Sequence, residues 1–339
     1  MKFETLTYDE QINELTSAAR TCLADYGLEG STLRLLSYYN NAVFSVHWNE
    51  KSYTLRLHRP GHKRREWIQS ELQWLAYLSR QTKFLVPEPI PTSSGSLLAK
   101  VRLASIQEPL PCALFRWVEG QVYPPSTITP DHLRRAGHFL AQLHAAVSSF
   151  RPSRDFMRPR LDWTGLFGED SPYNPGDGAR LFTDSQNAIF REVEQRIQET
   201  MMMVGQSQEE FGLIHGDFHS KNVVFGHGSV GAIDFDECGW GYFLYDLAPM
   251  LLQLTSDIRY PELKEAYLGG YESARTLTAH AIEYLETFIA ARHLASIRWQ
   301  AGNLHNPNIR AHAAETIARR TQHLKQFLAT GKLEIKGQT

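Results

Sequence analysis

The chain has 339 residues, 42% of them hydrophobic and 21% charged. That length and balance predict a globular protein of two domains, or of one domain with a large elaboration, whose core is large enough to need no covalent staples. Lys and Arg total 35 against 37 Asp and Glu, a net charge of -2, which argues against a nucleic-acid partner held by bulk charge.

Cys22, Cys112 and Cys238 are far apart and form no CxxC pair. They argue against a disulfide framework and a structural zinc site, and they fit a reducing compartment. No apolar leader follows Met1, and no run approaches the roughly 18 apolar residues of a membrane span. The expectation is a cytoplasmic chain with no membrane partner.

Helical spacing of Ile12, Leu15, Ala19, Cys22, Leu23 and Tyr26 predicts a helix over Gln11–Tyr26, stopped by Gly27. Strands are predicted over Leu33–Ser37, Ala42–Trp48 and Tyr53–His58, the last two joined by a tight turn at Asn49-Glu50-Lys51. A helix over Lys63–Arg80 carries an apolar stripe of Ile68, Leu72, Leu75 and Leu78. Pro87, Pro89 and Pro91 mark an extended segment. Strands over Leu97–Val101 and Cys112–Trp117 then complete a small sheet of about five strands. A change of texture at Val118-Glu119-Gly120 places a domain boundary there, giving residues 1–117 and 118–339.

The second part reads as mostly helical. Asp131–Ser148 and Gln186–Met203 are helices, separated by a long Pro-, Gly- and Asp-rich loop over Arg151–Asp184, in which Asp162 and Trp163 are candidates to line an acceptor pocket. The run Met201-Met202-Met203 reads as core. Phe211–His215 and Val230–Phe235 are short strands. Helices dominate from Tyr245 onward, including Leu277–Ala301 and Ile309–Ala329, and Gly331–Thr339 is expected to be frayed.

The informative stretch is His215-Gly216-Asp217-Phe218-His219-Ser220-Lys221-Asn222, entered and left by apolar runs. Ile233-Asp234-Phe235-Asp236 follows, with Asp234 twelve residues after Asn222. Two loops bounded by short strands thus present carboxylates and an amide together. One carboxylate can orient a hydroxyl and take its proton. The other, with the amide oxygen, can hold Mg2+, a hard cation that prefers oxygen ligands.

The first segment resembles the H-G-D-x-H-x-x-N signature of the aminoglycoside phosphotransferase family, also called the phosphotransferase enzyme family. Tyr245-Asp246-Leu247-Ala248 resembles a further segment of that family. The resemblance implies an α+β, protein-kinase-like, two-lobed fold, with a small N-terminal antiparallel sheet lobe and a larger, mainly helical C-terminal lobe. It implies ATP and Mg2+, and transfer of the γ-phosphoryl group to a hydroxyl of a small molecule, with an amino sugar or amino alcohol as the leading candidate.

By the same resemblance Asp217 is the catalytic carboxylate, and Asn222 and Asp234 hold the metal. Asp236 supports a second ion or a substrate amine, and His215 braces the loop from behind. His219 is either a partner of Asp217 or structural. His144 and Asp246 are read as support for the loop. Arg56 stands where a protein kinase has its phosphate-binding Lys, with Glu71 as its partner on the following helix. Asn40 and Asn41 form the turn over the phosphates, without the usual glycines. Backbone groups of Arg116, Trp117 and Val118 meet the adenine edge, with packing beneath that segment as the other reading of Trp117. Only short sequence separates Gly239 from Tyr245, so no activation segment of the protein-kinase type is present. This favours a small-molecule acceptor over the alternatives, an atypical protein Ser/Thr kinase of the bacterial stress-response branch and a non-catalytic nucleotide-binding regulator.

Overall fold

In the computed structural model, residues 3–333 are described apart from Pro60, His62, His227 and the side chains of Glu4, Ala279 and His280. Residues 334–339 of the tail expected to fray lie outside the described residues. The chain divides into two units, one of Met1–Glu119 with Arg151–Arg158, the other of Gly120–Phe150 with Pro159–Thr339.

The first unit begins with α1 (Tyr8–Cys22). Thr7 and Glu10 satisfy each other's backbone amides at its start in a capping box. Strands β1 (Thr32–Tyr38), β2 (Asn41–Trp48) and β3 (Lys51–His58) follow, then helix α2 (Arg65–Gln81), then β4 (Pro89–Ile90), β5 (Ala99–Val101) and β6 (Leu110–Arg116). They form one antiparallel sheet in the order β1-β2-β3-β6-β4, with β5 also on β6. The sheet therefore has six strands, the extra one being the two-residue β4, too short to show alternation. The β2–β3 turn is Asn49-Glu50, both residues left-handed at φ 45° and 62°, and Trp48 pairs with Lys51 across it. Two left-handed central residues match the twist of a tight hairpin.

Leu15, Ala19 and Cys22 of α1 bury against Phe44, Val46, Leu55, Leu57 and Leu114 of the sheet. That packing corrects the expectation for the cysteines: Cys22 and Cys112, 90 residues apart, form a disulfide, while Cys238 is free and buried. Sequence distance hides such a pair because a helix laid on a sheet brings any strand of it within reach. On α2 the predicted stripe of Ile68, Leu72, Leu75 and Leu78 is buried, as are Trp74 and Glu71.

Arg151–Arg158 is the unexpected member of this unit. The Met157 amide donates to Ser70 Oγ at 2.8 Å, and Arg158 Nη1 donates to the Trp67 carbonyl at 2.7 Å. The predicted single boundary at 117/118 is thus replaced by a division after Glu119 and a short return of the chain.

The second unit comprises α3 (Pro130–Ala146), β7 (Arg160–Leu161), α4 (Trp163–Phe167), α5 (Asp184–Val204), β8 (Phe211–Ile214), β9 (Val223–Phe225), β10 (Val230–Ala232), β11 (Gly239–Tyr242), α6 (Phe243–Leu254), α7 (Tyr260–Glu272), α8 (Ala279–Gly302), α9 (Pro307–Arg310) and α10 (Ala313–Thr330). Strands β9 and β10 form an antiparallel pair, and β11 lies between β7 and β8. Helices α3 and α7 approach closely at two glycines: a Cβ on Gly137 would lie 2.1 Å from the Tyr267 carbonyl oxygen, and one on Gly270 would lie 2.0 Å from that of Arg134. Met201 is buried, but Met202 and Met203 are 69% and 64% exposed. Three consecutive residues cannot share one face of a helix with 3.6 residues per turn, so the methionine run is not core as a whole. Asp162 is an N-cap, its Oδ1 accepting from the Gly165 amide at 3.0 Å.

Candidate active site

Two loops of the second unit carry the site, and both ends of each are clamped. The loop 215–222 leaves β8 and enters β9; the loop 233–238 leaves β10 and enters β11. Ile214 pairs with Gly239 at one end, and Val223 pairs with Ala232 at the other. The Ile233 amide donates to the Asn222 carbonyl at 2.9 Å. The sequence separation between Asp217 and Asp234 is thereby folded into one local frame.

Gly216 has φ 80°, and a Cβ there would lie 2.5 Å from the Glu237 carbonyl oxygen. Only glycine fits this tight approach of the two loops. Phe218 is fully buried and stacks on Phe139 with centroids 6.0 Å apart, so it pins the middle of the first loop inward and leaves Asp217 half-buried. Ser220 Oγ donates to Gln253 Oε1 of α6 at 2.7 Å.

Asp246, fully buried on α6, organises the start of this loop. Its Oδ2 accepts from the His215 amide and its Oδ1 from the Gly216 amide, each at 2.7 Å. His144 Nε2 lies 3.0 Å from Oδ2 and its Nδ1 lies 2.8 Å from the Tyr271 hydroxyl. Burial pushes the His144 ring below its ordinary pKa, opposed by Asp246. A neutral ring that donates from Nε2 and accepts from Tyr271 satisfies every group. His215 is likewise buried and held neutral by that burial. Its Nε2 donates to the Ile233 carbonyl at 3.1 Å and its Nδ1 accepts from the Asp217 amide at 3.3 Å. Both histidines therefore brace backbone.

Asp217 is ringed by donors. The Asn222 side-chain amide donates to its carbonyl oxygen at 3.0 Å and to Oδ2 at 3.4 Å. His219 Nε2 lies 3.4 Å from Oδ2. Arg292 of α8 donates from Nη2 to Oδ1 and from Nη1 to the Gly216 carbonyl at 3.4 Å. Burial alone would raise the Asp217 pKa, but the Arg292 guanidinium, aided by His219, outweighs it and holds the carboxyl well below the usual range. Tyr245 and Tyr173 lie beside the same guanidinium, and the Tyr173 hydroxyl donates to Glu237 Oε2 at 3.2 Å.

Arg292 was not singled out in the sequence. Its signal was a charge inside an apolar run, since Phe288, Ile289, Ala290, Ala291, Leu294 and Ala295 around it are all buried.

The predicted metal residues offer hard oxygen donors. Asp234 is exposed and left-handed at φ 62°, a conformation rare for a residue with a Cβ and typical of strained functional turns. The Asn222 amide nitrogen is engaged on Asp217, which leaves its oxygen for a cation. Among the described residues no three His, Cys, Asp or Glu side chains gather around a metal position. An ion here would take two protein oxygens and complete its shell from phosphate and water, which suits Mg2+. Asp236 is buried on the short turn that follows.

In the first unit, Arg56 Nη2 and Glu71 Oε2 form an ion pair at 2.8 Å with both side chains buried, and the Arg56 guanidinium lies over the Phe115 ring. Asn41 begins β2 rather than the turn, so the turn itself is Tyr39-Asn40, closed by the Tyr39 amide on the Asn41 carbonyl at 3.3 Å. The Arg116 amide donates to the Glu88 carbonyl at 2.9 Å and the Trp117 amide to the Ser52 carbonyl at 3.2 Å. Those two amides are engaged within the sheet, and the Arg116 side chain pairs with Glu88. Of the three residues expected at an adenine edge, Val118 alone has an amide with no such bond among the described residues.

The model of the phosphotransferase enzyme family matches residues 32–282. Amicoumacin kinase of Bacillus subtilis strain 168 is 22% identical over 299 residues, covering 85% of this chain and 83% of that one. The structure of a microcompartment-associated aminopropanol kinase superposes with a TM-score of 0.83 at 26% identity, covering 94% of this chain and 99% of that one. The amicoumacin kinase hAmiN, solved with AMP-PNP, Ca2+ and Ami, gives a TM-score of 0.75 at 17% identity over 94% of each chain. The fold is therefore protein-kinase-like, and the chain belongs to the phosphotransferase enzyme family.

Proposed function

We propose that the protein transfers the γ-phosphoryl group of ATP to a hydroxyl of a small molecule bearing an amino group. The observation that carries this reading is Asp217, held ionised by Arg292 and His219 on a loop fixed by Asp246. An ionised carboxylate with one face on its own loop can align an acceptor hydroxyl by accepting its hydrogen bond. As the new O–P bond forms and the bond to ADP breaks, the hydroxyl becomes acidic and its proton passes to Asp217. A carboxylate of low basicity is adequate for this late transfer, and most of the acceleration comes from alignment and charge stabilisation.

Asn222 and Asp234 hold Mg2+, which, when bound, neutralises charge on the outer phosphates. Within the first unit Arg56, oriented by Glu71, presents a planar fork that can engage two phosphate oxygens. The amino group is supported by the Asp236 and Glu237 carboxylates on the second loop and by the aminopropanol kinase whose structure this chain resembles.

The test is incubation with Mg2+ and γ-labelled ATP across amino sugars, amino alcohols, hydroxy amino acids and mixed protein substrates, beside Asp217→Ala and Asp234→Ala. Label should reach a small molecule and be lost in both variants. Label reaching protein alone would overturn the reading.

A further inference from the structure

Helix α1 precedes the segment that the family model matches, which begins at residue 32, and it is fastened to the rest of the first unit along its whole length. At its start the Tyr38 hydroxyl donates to Gln11 Oε1 at 2.7 Å, and the Tyr8 hydroxyl donates to the Tyr38 carbonyl at 3.4 Å. The Tyr8 and Tyr38 rings stack with centroids 5.6 Å apart. Gln11 is itself held, its Nε2 donating to the Leu6 carbonyl at 3.1 Å. In the middle of the helix, Glu14 accepts from the Ser105 hydroxyl at 2.5 Å. At its end stands the disulfide from Cys22 to Cys112, and Cys112 pairs with Leu57, the neighbour of Arg56 on β3.

Tyr38 is the last residue of β1, immediately before the Tyr39-Asn40 turn. Strand alternation alone would not bring its side chain to α1. Leu33 and Leu35 pack against the core that α1 and the sheet share, so an unbroken strand would put Ser37 on that face and Tyr38 on the other. The register of β1 on β2 shifts between Leu35 and Ser37. The extra residue, Leu36, is exposed, and beyond it Tyr38 turns to α1 and is buried. Bulges re-aim side chains at the expense of the ladder, and this one delivers a tyrosine to Gln11.

A glycine-rich turn can bend to meet phosphates. This turn has no glycine, and no residue from Tyr38 to Asn41 is left-handed. Its position is therefore set by what holds its two ends. One end is Asn41, which opens β2 opposite His58, two residues before Val43 faces Arg56. The other end is Tyr38, which α1 holds.

We propose that α1 is a brace for this turn, with Gln11 and Tyr38 as positioning residues, and that the brace sets affinity for the phosphates of ATP and not for its nucleoside. The inference rests on the kinase reading, with Asn40 in a turn that covers the phosphates. A turn already fixed has little freedom left to lose when it closes on its ligand, and a turn released from α1 binds more weakly.

Gln11→Met and Tyr38→Phe each remove one end of the same bond and keep most of the apolar body of the side chain. Calorimetry compares Mg-AMP-PNP with adenosine on wild type, both variants and the double variant, at a temperature where circular dichroism shows all four folded. Mg-AMP-PNP should bind about three- to tenfold more weakly to each variant, and adenosine within about twofold of wild type. The double variant should bind no more weakly than the weaker single one, because both substitutions break one bond. Equal losses for the two ligands would overturn the brace, as would a lower Tm with unchanged affinities; α1 would then only support the fold. Label transfer from ATP separates this result from the reading beneath it. Transfer to a small molecule, with Mg-AMP-PNP affinity the same in all four proteins, would overturn the brace and leave the kinase reading standing. The expected binding pattern with transfer to protein alone would uphold the brace and overturn the small-molecule reading. Failure of wild type to bind Mg-AMP-PNP would overturn both.

Discussion

Asp217 and Arg292 form a pair whose partners are 75 residues apart, and the pair fixes how the enzyme responds to pH. The guanidinium lowers the carboxyl pKa, so Asp217 stays ionised into acid. Arg292→Gln removes the dominant favourable charge and lets burial raise that pKa. The acid limb of kcat/KM should therefore move to higher pH, which profiles from about pH 4 to 8 would show; an unmoved limb would mean that another group controls it. Asp217→Asn should lower kcat by about 10²–10⁴ while the Kd of Mg-ATP stays within a few-fold. Arg56 and Glu71 give a second test. Arg56→Met strands a buried carboxylate and should cost roughly 3–5 kcal/mol in urea denaturation. Adding Glu71→Leu should restore most of that stability, yet the KM for ATP should remain raised in both variants. The Arg56–Glu71 pair was legible because strand alternation and helix spacing are local rules. Arg292 was not, because its meaning depends on where α8 crosses the loop.

At the level of elements, the site is a problem in holding two loops. Asp246 on α6 accepts two backbone amides that have no other partner, and α3 supplies His144 behind it. Asp246→Ala should cost about 1–3 kcal/mol for each orphaned amide and should lower kcat with it, since the loop no longer presents Asp217 in one position. Denaturation midpoints and kcat measured on one preparation would show whether the two losses travel together. The loops themselves were readable from sequence, since short apolar runs flank a dense polar motif. Two of their clamps were not: β9 and β11 are three and four residues long, below the length at which alternation becomes a signal. The turn expected at Asn40-Asn41 lies one residue earlier for a related reason, because Asn41 has turn chemistry but sits at the first ladder position of β2.

For the molecule as a whole, several buried histidines act in the same direction. His144, His215, His293 and His323 are each pushed below the ordinary imidazole pKa, mainly by burial. The unfolded chain protonates these rings as pH falls below about 6.5, while the folded chain does so only at lower pH. Stability is therefore greatest above that value and declines as pH drops toward the folded pKa values. Asp217, whose folded pKa is depressed, adds to the same decline further into acid. Tm should be lower at about pH 5.5 than at about pH 7.5; equal values would mean that these rings are not buried neutral. The two-unit division was legible in the change of composition near Val118. The return of residues 151–158 was not, because each bond that attaches it joins a side chain to a distant backbone group, Ser70 Oγ to the Met157 amide and Arg158 to the Trp67 carbonyl, a pairing with no periodic signal.

That return has a consequence for recombination. A gene chimera that exchanges the N-terminal unit with a relative's by one crossover near codon 119 would separate α2 from the strap that caps it. Ser70 and Trp67 would then face a foreign peptide. Functional hybrids should require two exchanged cassettes, one for 1–119 and a second for 151–158, and libraries built on a single junction should be depleted of folded members.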